Sequence, residues 1–189
     1  MSNSSPLIQT KLRNKAFKFH TTWGLFSPKE IDHGTKVLIE LIETTPDAHI
    51  LDLGCGYGPI GITLAKDAPK GEIHMIDKDF VAIEYTEKNI KENRLKNCQT
   101  YLSNAFSHVP KDKKFDLIVS NIPAKVGKDL LQIIIADAKA RLNPGGKFYV
   151  VTIAGLKEFI KRNFKETFGN YKKLKQSKGY CVAVAEKQE

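Results

Sequence analysis

The sequence predicts an α/β fold built on a doubly wound, mostly parallel sheet of seven strands that ends in an antiparallel hairpin, and three observations carry that expectation. An apolar run, Ile50-Leu51-Asp52-Leu53, is broken by Gly54, Gly56 and Gly58 and followed by Pro59. That is the order of a buried strand, a tight loop and a helix start. Four further strand-like runs alternate with helix-like runs downstream, the pattern of parallel strands joined by crossover helices. Two last strand-like segments, 171–176 and 179–186, are joined so tightly around Ser177-Lys178 that they must run antiparallel.

Taken in order, residues 1–15 read as a flexible basic arm, polar and small up to Pro6, and 16–189 as one domain. Phe17-Lys18-Phe19 alternates like a short edge strand, and residues 21–26 read as a loop. Ser27-Pro28-Lys29-Glu30 is a capping box with proline at the first helical position, so a helix is expected from there to about Glu43, with Ile31, Leu38, Leu41 and Ile42 on one face. After the glycine loop a helix runs over 60–66, and a strand over 73–76 finishes at Asp77. The next helix starts near Asp79 and buries Phe80, Ile83 and Ile90. Strands at 98–102 and 115–119 follow, then a helix over 128–142 with Leu130, Leu131, Ile134 and Ile135 inside, ended by Asn143-Pro144-Gly145-Gly146. A strand over 147–153 and a basic amphipathic helix over 156–168 lead into the hairpin.

With 189 residues one domain suffices to bury a sizeable core. Lys and Arg number 30 against 21 Asp and Glu, a net charge of +9 that suits a polyanionic partner. The excess is concentrated in Lys11, Arg13, Lys15 and Lys18, with no acid before Glu30, and again in Lys161, Arg162, Lys165, Lys172, Lys173, Lys175 and Lys178. Either cluster is equally compatible with an ordinary solvated face. Cys55, Cys98 and Cys181 are odd in number and widely spaced, which argues against a disulfide scaffold and for a reducing cytoplasm. His20, His33, His49, His74 and His108 lack metal-ligand spacing, so no metal is expected. The strongest apolar run, 130–136, is broken by Gln132 and too short to span a bilayer, so no membrane partner is expected.

The chemistry-bearing residues gather at the expected carboxyl ends of the strands. Gly56-Tyr57-Gly58-Pro59-Ile60-Gly61 also fits the pattern of dinucleotide enzymes, but Asp52 two positions before the first glycine would repel a pyrophosphate and attract a cationic nucleoside such as S-adenosylmethionine. A loop-capping role for Asp52 through backbone hydrogen bonds is the plainer alternative. Asp77, 21 residues after Gly56, sits where a carboxylate accepts ribose hydroxyls. Asn104 follows the third strand of the parallel set, where an adenine edge would lie, or simply makes a turn. Asn121-Ile122-Pro123-Ala124 ends the strand that the winding places beside the first. The Asn121 amide oxygen and the Ile122 carbonyl can together accept the hydrogens of one exocyclic amine, and Pro123 restricts Ile122 to an extended shape that aims its carbonyl. A plain Asn-x-Pro turn is the alternative. Trp23 and Phe26 are either core or a wall for a flat base.

These residues resemble the class I S-adenosylmethionine-dependent methyltransferases, and among them the small-domain enzymes that modify guanine N2 in small-subunit ribosomal RNA. The elements carrying the resemblance are Gly24-Leu25-Phe26-Ser27 with Ile31-Asp32-His33-Gly34-Thr35, the Asp52 to Gly58 loop, Asp77, the stretch Asn121 to Lys128, and Lys178-Gly179-Tyr180. The resemblance implies a donor site formed by Asp52, Gly54, Cys55, Gly56, Asp77, Lys78, Asn104, Ala105 and Asn121. It implies catalysis by Asn121, Ile122 and Pro123, and an acceptor side including Phe26, Thr35, Ala124 and Lys125. Two departures stand out: Ile122 replaces a second proline with Ala124 in place of a larger side chain, and Asn104 replaces an aspartate. The expected activity is N-methylation of a looped-out or flipped RNA base in the cytoplasm. Adenine N6 or a glutamine amide as acceptor, a dinucleotide-dependent oxidoreductase, and an RNA-binding module without catalysis remain open at this level.

Overall fold

The computed structural model describes residues 6–189. A seven-stranded sheet has the order β5-β4-β3-β6-β7-β9-β8, formed by β3 (Ile50–Leu53), β4 (Ile73–Asp77), β5 (Cys98–Leu102), β6 (Phe115–Asn121), β7 (Leu142–Ile153), β8 (Lys172–Gln176) and β9 (Tyr180–Glu186). The first five pair in parallel, and β9 runs antiparallel to both β7 and β8. The order reverses between β3 and β6, which opens a crevice beyond their carboxyl ends. This is the class I methyltransferase fold expected from the sequence.

Helices cover both faces, so β3 is buried along its whole length. One face carries α1 (His33–Leu41), α2 (Pro59–Asp67) and α3 (Phe80–Glu92), whose Leu38, Ile39, Ile62, Leu64 and Ile83 join Ile50 and Ile73 in one core. The other carries α4 (Lys128–Arg141) and α5 (Lys157–Phe168), where Leu131, Ile135, Phe164 and Phe168 pack on Leu51, Ile118 and Phe148. Pro59 occupies the start of α2 as expected, after Gly58 at φ 94°.

Of the arm expected over residues 1–15, residues 1–5 lie outside the described residues, and the rest is ordered. Leu7–Leu12 form β1, paired antiparallel with β2 (Lys15–His20) around Arg13 and Asn14, both at positive φ. Ile8, Leu12, Phe17 and Phe19 are buried, and that apolar side is what fixes the hairpin to the domain. Its basic residues are largely taken up by the fold: Arg13 Nε and Lys15 Nζ both lie 2.7 Å from Asp67, and Arg13 also donates to the carbonyls of Ile39 and Ile42. Asn89, fully buried on α3, donates to the carbonyls of His20 and Tyr57 and accepts the His20 N–H. One side chain therefore ties the hairpin to the glycine loop.

The helix expected from Ser27 begins six residues later. Ser27 has φ 50° and donates its hydroxyl to the Glu30 carbonyl, so the capping box closes a turn instead. Asp32 is the true cap of α1, its carboxylate accepting the Thr35 N–H at 3.0 Å. Phe80 and Leu130, expected inside, are 66 % and 41 % exposed. Phe80 is the first residue of α3, and Leu130, in the first turn of α4, lines the crevice rather than packing over the sheet. α4 ends at Arg141, just before the Asn143-to-Gly146 segment expected to end it, and that segment is already part of β7, which was expected to start only at Lys147.

Candidate active site

A crevice of about 610 Å³ lies beyond the carboxyl ends of β3, β4, β5 and β6. Its floor is the glycine loop. Gly54 and Gly56 have φ 73° and 58°, and a β-carbon added to either would meet nothing within 4 Å, so the loop presents bare backbone to open space. The loop is held from behind by α3: Thr86 donates to the Gly56 carbonyl at 2.8 Å, and Asn89 to that of Tyr57. Thr86 and Asn89 play supporting parts that sequence reasoning missed, although their spacing on the buried side of α3 marked them as polar groups needing partners.

Two acids stand near the loop in different roles. Asp77 lines the crevice, with Oδ2 accepting the Gly56 N–H and Oδ1 the Asp79 N–H, each at 3.0 Å. A carboxylate offers about four acceptor positions, so capacity remains for hydroxyl donors in the crevice. Asp52 is 0 % exposed, is not among the crevice-lining residues, and accepts the Gly61 N–H at 2.8 Å, while its Oδ1 is buried without a hydrogen-bond partner. Burial, with the nearby charge of Asp77 adding to it and the Gly61 bond opposing, pushes the carboxyl up to about 7. Alternation along β3 is the reason: Leu51 and Leu53 face the α4 and α5 core, so Asp52 points under α2. It lies behind the loop, bonded to the backbone of α2 in the manner of the plainer reading, and does not line the crevice.

The remaining expected donor-side residues, Cys55, Lys78, Asn104 and Ala105, all line the crevice. The Cys55 side chain is turned inward against Thr86, burial raises its thiol well above the ordinary range, and its backbone N–H donates to the Ile76 carbonyl at 3.0 Å. Asn104 is exposed at the far rim and Ala105 sits at φ 48° beside it.

Across the crevice, β6 ends in Asn121. Its Nδ2 donates to Thr35 Oγ1 at 2.8 Å and approaches Asp32 Oδ2 at 3.5 Å. Ile122 is buried, and its N–H donates to the Val151 carbonyl at 2.9 Å. A proline at 122 could not make that bond, so the departure from a double proline carries its own anchor. Pro123, Ala124, Phe26 and Thr35 line the crevice, whereas Lys125 does not and Trp23 stands outside it, 59 % exposed under the Lys29 ammonium. His33 and Tyr180 were not singled out as site residues. The two rings meet edge-to-face on the same wall, the hydroxyl 3.2 Å from His33 Nε2. Both belong to short stretches the sequence had marked, but only the pairing of β9 with β7 brings them together.

A parallel sheet that reverses at β3 and β6, with a bare glycine loop, an acid at the tip of β4 and an amide at the tip of β6, defines a nucleoside-binding α/β domain of the methyltransferase class. The chain belongs to the methyltransferase small domain family, whose model matches residues 16–184. It is 36% identical over 180 residues to the uncharacterized protein YbxB of Bacillus subtilis, covering 94% of this chain and 89% of that one. It is 37% identical over 163 residues to the ribosomal RNA small subunit methyltransferase C of Haemophilus influenzae, covering 84% of this chain but 48% of the relative. A solved T. thermophilus 16S rRNA N2 G1207 methyltransferase (RsmC), in complex with AdoMet and guanosine, superposes with a TM-score of 0.88 at 30% identity, over 96% of this chain and 50% of that one. The chain thus spans about half the length of the two named rRNA methyltransferases. Among the described residues no group of three or more His, Cys, Asp or Glu side chains could hold a metal, and no helix is long and apolar enough to cross a membrane.

Proposed function

We propose that this chain is an S-adenosylmethionine-dependent N-methyltransferase acting on RNA, with guanine N2 of ribosomal RNA as the acceptor. The observation that carries the reading is the single crevice joining the glycine loop and Asp77 to the Asn121 loop. The residues fit the donor: bare backbone at Gly54 and Gly56 leaves room for it, and Asp77 offers acceptors for its ribose. Bound there, S-adenosylmethionine supplies a methyl group already activated by its sulfonium.

The protein's own task is alignment and exclusion of water. Asn121 Oδ1 and the Ile122 carbonyl accept the two hydrogens of the acceptor amine, which holds its lone pair toward the donor. The methyl of Ala124 offers no ring to the acceptor, and Phe26, 66 % exposed on the same crevice, offers an aromatic face to it. A base in a duplex cannot enter, so the substrate base is looped out or flipped. Exposed lysines of α5 and the edge strand β8, including Lys161, Lys165, Lys172, Lys173 and Lys175, supply phosphate contacts without sequence preference. RNA works in a reducing cytoplasm, where the free Cys55, Cys98 and Cys181 also fit.

The test is to incubate ribosomal RNA from cells lacking the protein with methyl-labelled donor, and to identify the labelled nucleoside by mass spectrometry. N2-methylguanosine is expected. Label on adenine N6, or on a protein glutamine alone, would replace the acceptor. Tight RNA binding with no label on any acceptor would overturn the catalytic reading. Asn121→Ala is expected to lower kcat by a factor on the order of a hundred or more while leaving donor affinity nearly unchanged.

A further inference from the structure

We infer that Asp32 and Thr35 are positioning residues for Asn121, fixing which end of its amide faces the acceptor. The inference rests on the proposed methyl transfer for its consequence, but its geometry stands apart from it. An asparagine side chain is useful in that reaction only if its oxygen, not its nitrogen, is turned to the amine. Oxygen and nitrogen are nearly the same size, so the shape of the crevice cannot choose between them. A hydrogen-bond network can.

The network runs in one direction. Asp32 Oδ2 accepts the Thr35 N–H at 3.0 Å and the Thr35 hydroxyl at 3.4 Å. With its proton directed to the carboxylate, Thr35 Oγ1 presents a lone pair, which accepts from Asn121 Nδ2 at 2.8 Å. The second Nδ2 hydrogen lies toward Asp32 Oδ2 at 3.5 Å. Both nitrogen hydrogens are thus drawn to the α1 side, and Oδ1 is left pointing away from it. A flipped amide would set Oδ1 against the carboxylate, or take the Thr35 proton away from Asp32. Asp32 can only accept, and so decides the orientation for the whole chain of bonds.

The fold keeps the three together by close approach. Gly34 separates Asp32 from Thr35, and a β-carbon there would lie 3.0 Å from Val151 Cγ2 and 3.1 Å from Asp32 Oδ2. A larger residue would crowd both, so glycine eases the close approach of the start of α1 to β7, the strand beside β6. Thr35 is 4 % exposed, so water does not compete for its bond to Asn121.

The experiment compares the full chain with Thr35→Val, Thr35→Ser and Asp32→Asn. Valine keeps the buried shape without the hydroxyl, serine restores the hydroxyl, and asparagine still caps a helix but can donate as well as accept. In the free protein, the Asn121 Nδ2 hydrogens, assigned by their loss in Asn121→Ala, are followed by nuclear magnetic resonance. Protection from solvent exchange is expected in the wild type and in Thr35→Ser, with about tenfold less in Thr35→Val and Asp32→Asn. In methyl transfer, kcat is expected to fall about tenfold in Thr35→Val and Asp32→Asn, with KM for the donor unchanged and most of the loss recovered in Thr35→Ser. Equal exchange in all variants, or wild-type kcat in Thr35→Val, overturns the inference. A wild-type protein that keeps the protected amide but methylates no RNA overturns the proposed reaction and supports the orientation.

Discussion

Replacing Asp52 with asparagine isolates the cost of keeping a carboxylate beneath the glycine loop. The carboxyl is completely enclosed, has one backbone donor from Gly61, and is held up to about 7 chiefly by burial. In the unfolded chain it titrates near the ordinary aspartate value. Between those two values the native state holds a proton that the unfolded state has lost, so stability is full at low pH and falls as pH rises toward 7. From pH 5 to pH 8 this one group removes on the order of 3 kcal/mol. In Asp52→Asn the amide oxygen keeps the Gly61 bond, and the group no longer titrates. Its nitrogen occupies the position of the unpartnered Oδ1, which adds a penalty that does not depend on pH. Denaturant unfolding of both proteins at half-unit intervals from pH 5 to 8 gives the difference directly. The variant is expected to gain on the order of 3 kcal/mol relative to the wild type across that range. Parallel stability curves would mean that Asp52 stays ionised in the native state, and would refute the argument from burial.

Asp77→Asn is expected to weaken donor binding about tenfold or more by calorimetry, because the crevice loses a charge and the Gly56 and Asp79 donors compete for one oxygen. Unchanged affinity would remove Asp77 from the site. Ile122→Pro restores a second proline but deletes the bond to the Val151 carbonyl and a buried side chain. A loss of about 2 kcal/mol in chemical denaturation is expected, and a more stable variant would show that ring stiffness outweighs both.

Much of the glycine-loop side of the crevice was legible in the chain because its demands are local. Positive φ at Gly54 and Gly56, a proline opening α2 and an acid at the end of β4 each follow from what the backbone must do at that residue. The beginning of α1 was misread because two capping signals lie five residues apart. Ser27-Pro28 and Asp32 both satisfy local rules, and the packing of Gly34 and Thr35 against β7 and Asn121 selects the second. The basic arm was misread for a related cause: charge counts do not show that Asp67, at the end of α2, lies opposite Arg13 and Lys15.

By itself, then, the amino-acid sequence determined the alternation of strands and helices, the bare loop and the polar residues at the tips of the strands on either side of β3, since period and backbone geometry are written residue by residue. Tertiary structure alone decided that Asp52 faces inward, that His33 meets Tyr180, and that Thr35 holds Asn121 from 86 positions away. The reason is physical: a side chain's direction at the end of a strand depends on what packs against it, and those partners come from distant parts of the chain that only the closed sheet brings within bonding distance.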